Sequence, residues 1–175
     1  MKTLLDNNQL NITLQRLAHQ LVENHLNFKN TAIIGIQPRG IFLSDRIAEM
    51  VKNITGKSTI DYGKLDITFH RDDVHQGGIH LPEATNMDFN IEGKEVILVD
   101  DVLHTGRTIR AAMDALLDFG RPAKVELMVL IDRRFSRELP IQPDYVGRTI
   151  DTIITQKVQV YWKEKDDKDE VVLID

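Results

Sequence analysis

The chain has no cysteine. That excludes thiol nucleophiles, zinc–thiolate sites and a disulfide framework, and it fits a reducing cytosol. No apolar run approaches the length of a membrane helix, and the opening "MKTLLDNNQLN" lacks the apolar core of a secretion signal, so the expectation is a cytoplasmic protein without membrane contact. Internal repeats, low-complexity tracts and domain linkers are also missing. Positive charge is not in excess: the formal net charge of −5 excludes wholesale coating of nucleic acid, although a local basic patch survives such a sum. What remains is 175 residues of ordinary globular composition, 42% hydrophobic and 28% charged, enough for one domain with a proper core.

Periodicity divides the chain. Leu10, Leu14, Leu17, Ala18, Leu21 and Val22 recur at helical spacing, predicting a helix over 10–26. "TAIIGI" reads as a buried strand, "QPRG" breaks it, and 41–52 resumes helical spacing. A strand is predicted within 58–69, a long irregular loop over 71–93, a strand at 95–99, and a helix over 108–119 that stops at Gly120. Further strands are predicted at 124–132, "DYVGRTI" and "KVQVYW", followed by the charge run "KEKDDKDE". Alternating strands and helices predict an α/β fold with a mostly parallel twisted sheet flanked by helices.

The informative stretch is "VILVDDVLHTGRT". A strand delivers the chain to the carboxyl edge of the sheet, where open α/β folds bind ligands. Gly106 allows close approach or a positive φ, Thr105 and Thr108 supply hydroxyls, and the first amides of the following helix have no intrahelical partners. Such a turn cradles phosphate. The preceding Asp100 and Asp101 conflict with that ligand unless they have another task. Two like charges about 4 Å apart repel by roughly 4 kcal/mol at an effective dielectric of 20. A sugar 5-phosphate resolves the conflict: the loop takes the phosphate, and an acid behind it accepts ribose hydroxyls or meets a divalent cation that bridges them.

This stretch resembles the phosphoribosyl-pyrophosphate (PRPP) signature of type I phosphoribosyltransferases. With "IGIQPRGIFL", "DITFHRDD", "GRTIRAAMDALLDFGRP" and "RELPIQPDYVGRTI", the resemblance extends over about 10–160 and is to the PyrR family, bifunctional pyrimidine operon attenuators and uracil phosphoribosyltransferases. It implies a type I phosphoribosyltransferase fold in a single domain over 1–175, with a hood from about 1–28 and 150–175 and a mobile loop over about 70–93. It implies conversion of uracil and PRPP to UMP and pyrophosphate with Mg2+ held through the substrate, for which Asp100 and Asp101 are the candidate protein ligands. It also implies UMP- or UTP-dependent binding of pyrimidine operon leader mRNA, and a homodimer or larger homo-oligomer. Rival readings on the same scaffold are a salvage enzyme without RNA regulation and a transferase for another base.

By the same resemblance, Pro38, Arg39 and Gly40 form the pyrophosphate loop, with Pro38 where a hydroxylated residue is usual. PRPP and nucleotide binding fall to Asp100, Asp101, Val102, Leu103, His104, Thr105, Gly106, Arg107 and Thr108. Asp100, Asp101 and Arg71 are the catalytic candidates. Arg133 and Val158 lie by the base pocket. His19, Arg137 and Arg148 match the RNA face, on which Gln15 and Gln142 depart from the usual residues and "RRFSRELP" is one residue longer. His75 and His80 have the spacing of metal ligands but lack a third.

Overall fold

A computed structural model describes residues 1–73 and 82–175. Its main layer is a five-stranded, wholly parallel sheet in the order β3-β2-β4-β5-β6, formed by β2 (Thr31–Ile36), β3 (Asp61–Leu65), β4 (Glu95–Leu103), β5 (Lys124–Arg134) and β6 (Tyr145–Asp151). β2 is buried along its whole length, as expected of a near-continuous β-branched run in the interior of a parallel sheet. The chain leaves β2 toward β3 on one side and returns to pair β4 on the other. The crevice beyond the carboxyl ends of β2 and β4 is therefore the switch point where such sheets take ligands.

Two helices cover one face. α1 (Asn7–His25) starts in a reciprocal cap: Asp6 Oδ1 accepts Gln9 N–H at 2.8 Å and Gln9 Oε1 accepts Asp6 N–H at 3.1 Å. It buries Leu10, Leu14, Leu17, Ala18 and Leu21. α2 (Gly40–Thr55) buries Leu43, Ile47, Ala48 and Val51 and ends at left-handed Gly56. These side chains share one core with Ile33, Val99, Met128 and Leu130. α3 (Arg107–Leu117) covers the opposite face through Ile109, Ala112, Ala115 and Leu116, against Leu98 and Val129.

A second, antiparallel sheet has the order β1-β8-β7, from β1 (Lys2–Leu5), β7 (Lys157–Tyr161) and β8 (Glu170–Ile174). A short helix, α4 (Lys163–Asp166), lies between the last two. Trp162, at the end of β7, is fully buried, with the Arg46 guanidinium 5.0 Å above its ring and Phe42 packed beside it. Arg46 also grips Glu164 and Asp169, each at 2.7 Å, so α2 and the small sheet are joined by a charged clasp over an indole.

Three boundaries differ from the sequence expectation. β4 runs four residues past its apolar stretch, through both aspartates, to Leu103. The strand predicted within 58–69 is confined to Asp61–Leu65 and followed by a 3-10 turn at Thr68–His70. β1 was not anticipated, because its partner β8 lies at the far end of the sequence.

Candidate active site

The turn after β2 and the turn after β4 meet at the switch point, and the backbone fit between them is tight. A Cβ on Gly40 would stand 2.5 Å from the Val99 carbonyl oxygen and 3.0 Å from Asp100 Cα. Only glycine allows the start of α2 to rest on β4 there. The Gln37–Pro38 peptide is cis, and Arg39 is the N-cap of α2, whose first amides receive no side-chain cap.

Asp100 and Asp101 are both 7% exposed. Burial, and then the charge of Asp101, hold the Asp100 carboxyl well above the usual range; its Oδ1 accepts Asp101 N–H at 2.9 Å. No cation lies within ion-pairing distance of Asp100 among the described residues. Burial also raises Asp101, opposed by Arg39, whose Nε donates to Asp101 Oδ2 at 3.2 Å. Arg39 donates in addition to the Val160 carbonyl of β7 and lies 3.8 Å from Asp166. One guanidinium thus spans the sheet edge, the acid pair and the small sheet.

The turn after β4 closes at Gly106, which holds φ +94°, and α3 begins without a side-chain cap. Thr105 Oγ1 accepts Arg107 N–H at 3.4 Å. Thr105, Arg107 and Thr108 line a cavity of about 160 Å³ together with Arg71, Asp72 and Asp73. The 3-10 turn brings Arg71 there, because Arg110 on α3 donates to the His70 carbonyl at 2.8 Å. The cations lining this cavity are paired with neighbouring carboxylates. Arg107 pairs with Asp72 at 2.7 Å and Glu138 at 2.6 Å, and Arg71 pairs with Asp73 at 2.6 Å. The arrangement offers an anion two hydroxyl and two guanidinium side chains and the opening amides of α3, in a space large enough for a phosphate group. A larger groove of about 640 Å³, between α2 and β3, lies away from the strand ends and contains none of these groups.

The remaining candidates are distributed around this centre. Arg133 is buried at the end of β5, its pKa lowered by that burial; it donates to Thr152 Oγ1 at 3.0 Å and to the Gln156 carbonyl at 2.7 Å. Val158 is buried on β7. Burial and then the Arg133 charge lower the His104 pKa, favouring a neutral ring. Val102 and Leu103 complete β4. His19 is exposed on α1, which packs on β6: Arg16 donates to the Gly147 carbonyl at 2.5 Å, and a Cβ on Gly147 would stand 3.0 Å from Thr13. Arg148 is exposed on β6 and donates to the Leu4 carbonyl. Arg137 faces inward instead, donating to the His104 carbonyl and to Asp132 at 2.5 Å. His75 and His80 lie outside the described residues.

Glu138, Thr152, Gln156 and Val160 were not singled out in the sequence. Three of them act here through a backbone carbonyl or a hydroxyl, for which residue spacing carries no signal.

The donor set fits a hard divalent cation. Asp100 and Asp101 offer only oxygens, and Asp100 has no ion-pair partner among the described residues. No cluster of three or more acidic or histidine side chains forms a ready-made cage among the described residues, so most ligands of such an ion would come from substrate oxygens and water.

Comparison with known proteins follows the same direction. The phosphoribosyl transferase domain family model matches residues 1–165. The "Bifunctional protein PyrR" of Elusimicrobium minutum (strain Pei191) is 48% identical over 174 residues, covering 99% of this chain and 96% of that protein. The protein of the same name from Bacillus mycoides (strain KBAB4) is 44% identical over 174 residues, covering 98% and 96%. Among solved structures, the Leishmania tarentolae HGPRT-ase in complex with GMP superposes with a TM-score of 0.75 over 99% of this chain and 96% of that one, at 15% identity. The Trypanosoma cruzi hypoxanthine phosphoribosyltransferase gives 0.71 over 99% and 95%, also at 15%. At those identities the likeness is one of fold.

Proposed function

The chain belongs to the phosphoribosyl transferase domain family and, within it, to the bifunctional PyrR proteins, and from that premise we propose that it forms UMP and pyrophosphate from uracil and PRPP and binds pyrimidine leader RNA in a UMP-dependent manner. The observation that carries the transferase reading is the pair of buried carboxylates, Asp100 and Asp101, directly behind an uncapped, glycine-opened helix start.

In this reading the 5-phosphate sits on Thr105, Thr108 and the amides that open α3. Asp100 accepts the ribose hydroxyls. Pyrophosphate lies against the first amides of α2, with Arg39 and Arg71 neutralising its charge. The C1–oxygen bond to pyrophosphate breaks, the C1–N1 bond to uracil forms, and the N1 proton passes to Asp101 or to solvent. Charge builds up on the leaving group and on C1, so catalysis rests on fixed donors, a fixed ribose and excluded water rather than on a nucleophile. Bound Mg2+ would be held by substrate oxygens with Asp100 and Asp101 nearby, and would supply Lewis-acid stabilisation of the pyrophosphate. We read the three-stranded sheet as the hood over the base, with Val158 and Arg133 at its inner wall.

The test is UMP formation with magnesium, PRPP and a panel of bases. Uracil should be preferred, and Asp100→Asn and Asp101→Asn should each lower kcat by about 10²-fold or more. Full activity in both variants, or preference for a purine, would overturn the assignment. The regulatory half is tested by gel shift with leader RNA from the protein's own pyrimidine operon, with and without UMP; binding should rise with UMP and fall steeply with salt. Absence of UMP-dependent binding would leave a salvage enzyme.

A further inference from the structure

The phosphate-binding turn does not hold its own shape. The segment after β5 reaches across to it. Arg137 donates to the His104 carbonyl, and Glu138 N–H and Leu139 N–H both donate to the Thr105 carbonyl, at 3.0 and 3.2 Å. Glu138 also binds Arg107 Nε at 2.6 Å, and a Cβ on Gly106 would stand 3.2 Å from Ile141 and 3.5 Å from Leu139. The other arm of the Arg137 fork is anchored to Asp132, at the end of β5, at 2.5 Å. A peptide unit is planar and trans, so its carbonyl and the next residue's N–H point in opposite directions. Tying the carbonyls of His104 and Thr105 to this segment turns the N–H groups of Thr105 and Gly106 away from it. Neither amide makes a hydrogen bond among the described residues.

We propose that residues 137–141 form a clasp that presets the phosphate turn, and that Arg137 is its positioning residue, aiming the Thr105 amide at the anion by holding the His104 carbonyl. The inference rests on the reading that this turn holds the 5-phosphate. It gives Arg137 a task inside the molecule, distinct from any contact with RNA: both arms of its fork are committed to the turn and to β5. Without it the His104–Thr105 peptide is free to rotate, and each binding event must reorder it.

The experiment is UMP titration by calorimetry together with steady-state kinetics on wild type, Arg137→Ala and Arg137→Lys. For Arg137→Ala the Kd for UMP and the KM for PRPP should rise about tenfold or more, the size of one lost charge-assisted hydrogen bond. KM for uracil at saturating PRPP should stay within about twofold, since the clasp acts through phosphate. Arg137→Lys keeps the charge and one donor; it should fall between the two, and it is the informative variant if the alanine form does not fold. Added guanidinium ion should restore UMP affinity to Arg137→Ala. UMP affinity within about twofold of wild type in Arg137→Ala, or in Arg137→Lys where that is the variant that folds, overturns the clasp, as does an equal rise in both KM values. A wild type that binds no UMP instead removes the parent reading, and the clasp with it.

Discussion

Arg39, in the turn after β2, and Asp101, near the end of β4, are joined at 3.2 Å, and the same guanidinium holds the Val160 carbonyl of the small sheet. Asp101 has no other ion-pair partner among the described residues. In the proposed reaction pyrophosphate takes Arg39, so the aspartate loses the group that opposes its burial, which favours a proton on Asp101 as the leaving group departs. Arg39→Met should therefore lower kcat/KM for PRPP by about 10²-fold or more, the typical loss for one preorganised donor. Initial rates at varied PRPP measure this, and a loss under about fivefold would show that Arg39 does not touch the reaction.

Gly40 allows α2 to rest on β4, and a methyl group there meets backbone, which cannot swing aside. Gly40→Ala should destabilise the fold by about 1–3 kcal/mol through overpacking. It should also separate the two turns proposed to hold the phosphates, raising KM for PRPP more than KM for uracil. Thermal unfolding with parallel kinetics checks both; an unshifted melting midpoint with normal KM would contradict the fit described.

Asp72 pairs with Arg107 at 2.7 Å, and both side chains are close to half exposed. Exposed ion pairs are worth only about 0.2–1 kcal/mol. Asp72→Asn should accordingly tighten PRPP binding, but by no more than about fivefold. Competition binding against UMP reads the change directly, and weaker binding would mean that Asp72 serves the ligand rather than competing with it.

At the amino-terminal rim of the sheet, far along the strands from the phosphate turn, the His25 ring bridges Glu95 at 2.9 Å and Glu126 at 2.7 Å. Burial pushes Glu126 up, but hydrogen bonds from Lys124, Tyr145 and His25 outweigh it and leave its pKa below the ordinary 4.5. A carboxylate depressed in the fold stabilises above its unfolded value, and that contribution disappears as pH falls through the folded value. The melting-point gap between wild type and Glu126→Gln should be full above about pH 4.5 and close as pH drops below it. A gap that widens in acid would reverse the assignment.

The fold class and the glycine turn between β4 and α3 were legible because each rests on local pattern: β-branched runs, helical spacing, and a glycine with hydroxyl neighbours after a strand. β4 was read four residues short because buried acids interrupt an apolar run without interrupting the strand. β1 escaped because a four-residue strand acquires meaning only from β8 at the other end of the chain. The orientation of Arg137 was illegible for a related reason. Its principal acceptor is the carbonyl of His104, and every residue type carries a carbonyl.

The molecule's single tryptophan, Trp162, is fully buried where α2 meets the small sheet, and its indole N–H has no acceptor among the described residues. Its emission should be blue-shifted in the native protein and sensitive to the cation stacked over it. Intrinsic fluorescence therefore listens to one seam only. A ligand that lifts the small sheet from α2 will change the signal, whereas one that merely fills the phosphate turn will leave it unchanged, so a single optical titration can separate the two events in time.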